Sequence, residues 1–260
     1  MGIYLKKFDN HTQYENYING SDAILPNVSI CTTEGDVHYN PYVDPCASEI
    51  VKTTYEWVEI GGIKWATKNV GALTETDYGQ LFSWGGVNGY TLDQLSGSCH
   101  SRAFSWVDYE FGNGTSSPMA TEMSKYNATD DKTVLEAVDD AATVNMGARW
   151  RMPTEAEFQS LSAATTNTWV TNYQGSGING RLFTDNTDGS KVLFFPAAGC
   201  YQDDSASSVS IMGFYWSSSL KTNESGYGKR AMMLGVLSSY AYIPFTDRNY
   251  GCSVRSVIDE

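Results

Sequence analysis

Two hydrophobic periodicities divide the chain. Three segments space apolar residues at helical intervals behind a Thr-x-x-Glu pair. In that pair the threonine hydroxyl accepts the third helical amide and the glutamate accepts the threonine amide, so it marks a helix start. "HTQYENYING" opens at Thr12 with Glu15, carries Tyr14, Tyr17 and Ile18 on one face and stops at Gly20. "DDKTVLEAVDDAATVNMG" opens at Thr133 with Glu136, lines Leu135, Val138, Ala142 and Met146 along one side and closes at Gly147. "MPTEAEFQSLSAAT" opens at Thr154 with Glu157 and buries Phe158 and Leu161.

The remaining pattern is that of strands and turns. "NVSICTTEGDVHYNPY" predicts a hairpin around Glu34 and Gly35, and "YEWVEIGGIKWATKNV" predicts two short strands joined at Gly61 and Gly62. "GRLFTDNTDGSKVLFFPAAG" predicts a hairpin turning at Asp188 and Gly189, its second arm apolar on both faces and therefore central in its sheet. "GFYWSSS" and "GCSVRSVI" read as closing strands. Residues 85–124 have little periodicity and are too long for an ordinary connection. They predict an organised surface loop pinned by Phe104, Trp106 and Tyr109.

A chain of 260 residues suits one large domain with a small appendage. "DPCASEIVKTT" sets the boundary, giving a helix-plus-hairpin module over residues 1–50 and a main domain over 51–260. The net charge of −13 opposes binding along a phosphate backbone, so no nucleic-acid partner is expected. Neither a signal peptide nor an apolar run long enough to span a bilayer is evident, which predicts synthesis in the cytoplasm without membrane insertion. Five cysteines without a CxxC read as free, mostly buried thiols.

Catalytic constellations are sparse. The three histidines, His11, His38 and His100, are far apart in the first hundred residues, and the serine run 217–219 has neither a nucleophile elbow nor a histidine after it. Asp130 and Asp131 sit where a helix start favours negative charge, and Asp139 and Asp140 read as a solvated helix face. Calcium at these pairs ranks below that reading, so no cofactor is expected. Cys200 and Cys252 form a redox pair only if the fold brings them together.

One stretch stands apart. "SSYAYIPFTDRNYG" places Tyr240, Tyr242, Phe245 and Tyr250 among small polar residues. On an extended backbone Tyr240 and Tyr242 project from one face. Tyrosine offers large amphipathic contact area for few rotatable bonds, while Ser, Asn and Gly supply adaptable polar contacts, as in an antibody paratope.

The ordered string "WATKNVG…DYGQLFSWGG…WRMPTEAEF…FFPAAG…GFYWSSS…RNYGCSVRSV" resembles the C-type-lectin-fold domains of gut bacteria and their phages, including the variable proteins of diversity-generating retroelements. The likeness runs from about Trp57 to Val257. The first 45 residues are similar to a short leader ahead of such domains in phage structural proteins, which implies attachment or oligomerisation.

The resemblance implies an α+β fold, with the helices at Thr133 and Thr154 packed on twisted antiparallel sheets. It implies a non-enzymatic, virion-associated receptor-binding or adhesin component that meets a cell-surface protein or glycan, with trimers by family analogy. Its contact surface would lie between residues 215–219 and 251–257 and be rewritten through AAC codons. Those codons become NNC triplets, which never encode Lys, Glu, Met, Trp or Gln. The filter leaves Asn223, Ser225, Tyr227, Arg230, Ser238, Tyr240, Tyr242, Phe245, Asp247, Asn249 and Tyr250 admissible as contact residues, and assigns Lys221, Glu224, Lys229, Met232 and Met233 to the scaffold or to variation through other codons. The same fold houses formylglycine-generating oxidases, which would use Cys200 and Cys252. A structural virion or fimbrial subunit is the third reading.

Overall fold

The computed structural model describes residues 55–96, 103–222 and 228–259. The helix expected at Thr12 and the hairpin at Glu34 lie outside the described residues. The chain divides after Lys52, and every described residue belongs to the unit Thr53–Glu260.

Within that unit the fold is α+β, with many short strands and few helices. The strands β1 (Trp57–Ile60) and β2 (Ile63–Ala66) form the expected hairpin. Gly61 and Gly62 carry its turn at φ of 61° and 76°, where a side chain would be strained. Strand β3 (Leu81–Phe82) follows, then a short helix α1 (Leu92–Ser96). The loop beyond α1 is organised as expected, because Phe104, Trp106 and Tyr109 are all buried.

The helix expected to open at Thr133 instead begins at Asp140. Helix α2 is Ala141–Met146, and Asp140 caps it by accepting the amides of Ala142 and Thr143. Upstream, Thr133 and Leu135 are diverted into backbone bonds with Leu220 and Ser218. Val138 consequently points to solvent rather than lining the helix. Asp140 is correspondingly not on a solvated face. It is buried, and its carboxylate also accepts the Met152 amide at 2.8 Å.

Strand β4 (Trp150–Arg151) leads into helix α3 (Glu155–Ala164), which has the expected capping box. Thr154 accepts the Glu157 amide, and Glu157 accepts the Thr154 amide at 2.7 Å. Phe158 and Leu161 are buried, as its spacing predicts. Three strands follow, β5 (Thr165–Val170), β6 (Gly180–Asp185) and β7 (Val192–Pro196). Their order is β5-β6-β7, so β6 is central and the expectation that the apolar arm β7 lies in the middle is corrected. The polar segment "TTNTWV" supplies the third strand, and β7 is apolar because side chains rather than another strand cover it.

Strands β8 (Cys200–Gln202) and β9 (Ser205–Ser207) form a small hairpin. The main sheet is then built from β10 (Met212–Leu220), β11 (Arg230–Leu237), β12 (Ala241–Tyr242), β13 (Phe245–Asp247) and β14 (Cys252–Ser253) together with β3. Strand β15 (Val257–Ile258) joins β2 and β4. Alternation along β10 and β11 splits the core into two clusters. Trp216 and Met233 pack with Trp84, Tyr126 and Met146, whereas Tyr215 and Leu234 pack with Phe158, Phe183 and Phe195.

The serine run makes a bulge at the end of β10, where register shifts between Trp216 and Leu220. There the hydroxyl of Ser217 donates to the Met232 carbonyl at 2.7 Å, and the Ser217 carbonyl accepts the Trp84 indole at 2.8 Å. Ser219 accepts the Glu155 amide at 3.0 Å. Two short polar side chains, those of Ser217 and Ser219, thus satisfy a carbonyl of β11 and an amide at the start of α3.

Candidate functional site

Residues 230–247 form one hairpin. The pairs Arg230 with Asp247, Met232 with Phe245, Gly235 with Tyr242 and Val236 with Ala241 keep a single register along β11, β12 and β13. The Leu237 amide donates to the Tyr240 carbonyl at 3.0 Å, leaving Ser238 and Ser239 as a two-residue turn. Pro244 interrupts the outer arm but still accepts the Met233 amide at 2.9 Å. A proline is tolerated there because the outer arm ends the sheet, and its missing N–H blunts an edge that would otherwise recruit another strand.

Alternation along the outer arm sorts the aromatic residues into two groups. Tyr240 and Tyr242 share one face, as the sequence predicts. They are 52% and 37% exposed, and their rings meet edge to face with centroids 5.3 Å apart. Tyr242 lies over Gly235, where a Cβ would stand 2.5 Å from the ring. The absent side chain is therefore the seat of the ring. Ser238 is exposed in the turn at the hairpin tip.

Phe245 and Asp247 fall on the opposite face of the strand. Lys221 Nζ lies 4.8 Å and Arg230 Cζ 5.5 Å from the Phe245 ring centre, while Arg230 Nε reaches Asp247 at 3.2 Å. Phe245 therefore does not extend the tyrosine surface but belongs to a second patch of ring and charges. Lys221, assigned by the codon filter to the scaffold or to variation through other codons, stands in that patch. Met232 and Met233 are buried, in keeping with the filter, and Lys229 lies over Trp106 at 5.0 Å.

Two of the expected contact residues turn inward. Asn249 is 1% exposed and donates to the Phe104 carbonyl at 3.0 Å. Tyr250 is half-buried against the Trp84 cluster, and burial pushes its phenol up. The correction has a local cause. The chain after Asp247 must turn back beneath the sheet to form β14, and the Tyr250 amide closes that turn on the Asp247 carbonyl. Asn223, Ser225 and Tyr227 lie outside the described residues.

The residue that fixes this turn is Arg248, which the sequence reading did not single out. It is fully buried, with its guanidinium 4.8 Å from the Trp84 ring centre, 5.3 Å from Tyr109, 5.5 Å from Phe111 and 5.8 Å from Tyr126. Its Nε donates to the Tyr109 hydroxyl at 2.7 Å, and the terminal nitrogens donate to the carbonyls of Lys125, Tyr126 and Gly228. Both ends of the residue 230–247 hairpin are thereby tied to the loop that carries Tyr109 and Tyr126.

Arg255 acts likewise further on. It donates to Asn69 and to the carbonyls of Ala66, Thr67 and Phe194, and burial pulls its guanidinium down to about 10. The available signal for Arg255 was an arginine inside an otherwise small and apolar run, whereas Arg248 follows Asp247 and precedes Asn249 in a polar one.

Asp130 and Asp139 bond to neighbouring groups of the chain. Asp130 accepts the amides of Tyr126, Asn127 and Lys132, and Asp139 accepts Lys125 and the Tyr126 hydroxyl. Among the described residues, no group of three or more His, Cys, Asp or Glu side chains gathers to hold a metal. Cys252 is buried and Cys200 half-buried, and burial pushes both thiols up, which lowers their thiolate fraction at neutral pH. Among the described residues no helix is long and apolar enough to cross a membrane.

A family described as a domain of unknown function (DUF8237) matches residues 176–257, the part of the chain that includes the 230–247 hairpin, Arg248 and Arg255. No curated protein matches the chain, and no solved structure matches it.

Proposed function

We propose that this chain is a non-enzymatic ligand-binding protein whose contact surface is the Tyr240 and Tyr242 face of the hairpin, with Ser238 at its tip. The reading is carried by the two tyrosines, which stay exposed on a strand held in register with a buried neighbour. Rings presented this way bury large area on contact while losing little additional freedom, because the backbone beneath them is already fixed. Phe245, Lys221 and Arg230 form a flanking patch that suits an anionic or polar group.

The sequence likeness, the α+β architecture and the position of the hairpin between 215–219 and 251–257 support a C-type-lectin-like domain. They also support a phage receptor-binding or adhesin role, with the hairpin as the diversified segment. The partner class is a cell-surface protein or glycan. Residues 1–50 would attach or oligomerise the chain.

The experiment is a screen of the full chain against immobilised glycans and intact bacterial cells, repeated with the Tyr240→Ala, Tyr242→Ala double variant. Binding should fall at least tenfold while Tm drops by no more than roughly 5 °C, as expected for half-exposed side chains. Undiminished binding, or a large loss of stability, would refute the assignment. Light scattering separates the third reading, since a stable homo-oligomer that the double variant dissolves would make this face an assembly surface.

A further inference from the structure

Tyr201 and Gly251 pair as an antiparallel bridge and exchange both backbone bonds, at 2.9 and 2.8 Å. Cys200 and Cys252 flank this isolated bridge, one residue from it on each strand, where a regular ladder would have its next, non-hydrogen-bonded pair. Residues so placed face the same side of the sheet with Cα atoms about 4.5 Å apart, within the roughly 4.4–6.8 Å that a disulfide spans. Both side chains pack on the same core cluster, and the two thiols sense each other electrostatically. Both are free thiols in this structure.

We infer that Cys200 and Cys252 form a reversible cross-strand disulfide, made by exchange with a low-molecular-weight disulfide such as oxidised glutathione, that closes the chain around the tyrosine hairpin. The half-buried Cys200 is the entry point. Its thiolate attacks one sulfur of the small disulfide and expels a thiolate, leaving a mixed disulfide. The Cys252 thiolate then attacks the Cys200 sulfur and expels the second small thiolate. The two protein thiols lose two electrons, the oxidant gains them, and the two protons end on the released thiols.

The loop so closed spans residues 201–251 and includes the whole hairpin together with Arg248. A clip there restricts the unfolded chain and fixes the turn that aims the tyrosines. Burial holds both thiols above their ordinary range, so exchange should accelerate as pH rises toward 9. The inference is independent of what the hairpin binds.

The test uses the full chain with Cys31, Cys46 and Cys99 replaced by serine, so that only this pair can react. After treatment with oxidised glutathione, peptide mapping should find the 200- and 252-containing peptides joined with the loss of two hydrogens. Dithiothreitol should reverse it, and Tm should rise by roughly 5–15 °C in the oxidised form. In the same background Cys200→Ser should abolish the crosslink and the Tm shift while remaining folded. Recovery of both cysteines as free thiols, or arrest at a glutathione adduct on Cys200, would overturn the inference.

Discussion

Replacing Arg248 with methionine tests whether the hairpin is held by a cage rather than by its own turn. The guanidinium is fully buried, makes five donations to carbonyl and phenol oxygens and lies among four aromatic rings. Bonds from an ionised donor are worth about 1.5–3 kcal/mol each, but taking the cation out of water cancels several kcal/mol of that sum. Methionine fills part of the volume and leaves the Lys125, Tyr126 and Gly228 carbonyls without this donor. The net loss expected is about 3–5 kcal/mol, or a fall in Tm of roughly 6–20 °C.

Arg248→Lys should fall in the same range, because an ammonium cannot reproduce the planar fork or its stacking. Arg230→Met supplies the control. Its contact with Asp247 is largely solvent-exposed and contributes within about 0.5 kcal/mol. Thermal unfolding followed by circular dichroism on the three variants decides the matter. If Arg248→Met melts within about 2 °C of the parent chain, the cage is not what fixes the hairpin.

Three further outcomes follow from particular contacts. Gly235→Ala places a methyl 2.5 Å from the Tyr242 ring, so the ring should swing outward at a cost of about 1–2 kcal/mol, seen as a loss of near-ultraviolet tyrosine dichroism. Burial pushes the Glu157 carboxyl up, but Arg151 and the Thr154 amide more than offset this and hold it below 4.5. Its stabilisation is therefore complete above pH 4.5 and lost as pH falls through the lowered value. Glu157→Gln should cost about 1–2 kcal/mol at pH 7 and reduce the slope of Tm against pH below 4.5. Asp140→Ala removes the cap of α2 and the acceptor of the Met152 amide, and should cost about 2–3 kcal/mol in urea unfolding.

How far the sequence carried the structure depended on the range of the interactions. The Thr154 box, the Gly61 and Gly62 turn and the hairpin at Asp188 were legible because their causes lie within a few residues. The Thr133 box had the same local signature and failed, because Ser218 and Leu220 competed for its backbone from more than eighty positions away. The shared face of Tyr240 and Tyr242 followed from strand alternation alone. The inward turn of Asn249 did not, since it depends on the Phe104 carbonyl in a distant loop. The partners of Arg248 and Arg255 were illegible for the same reason: most are backbone carbonyls in distant segments, which no side-chain pattern announces.

Hydroxyl-radical footprinting of the full chain, alone and bound to the strongest ligand from the glycan and cell screen, addresses the recognition surface most directly. Protection should concentrate on Tyr240 and Tyr242, with a smaller effect at Phe245 and none at exposed Trp57 or Ile211. Unchanged reactivity of both tyrosines in the complex, or protection centred on Trp57 or Ile211, would contradict it.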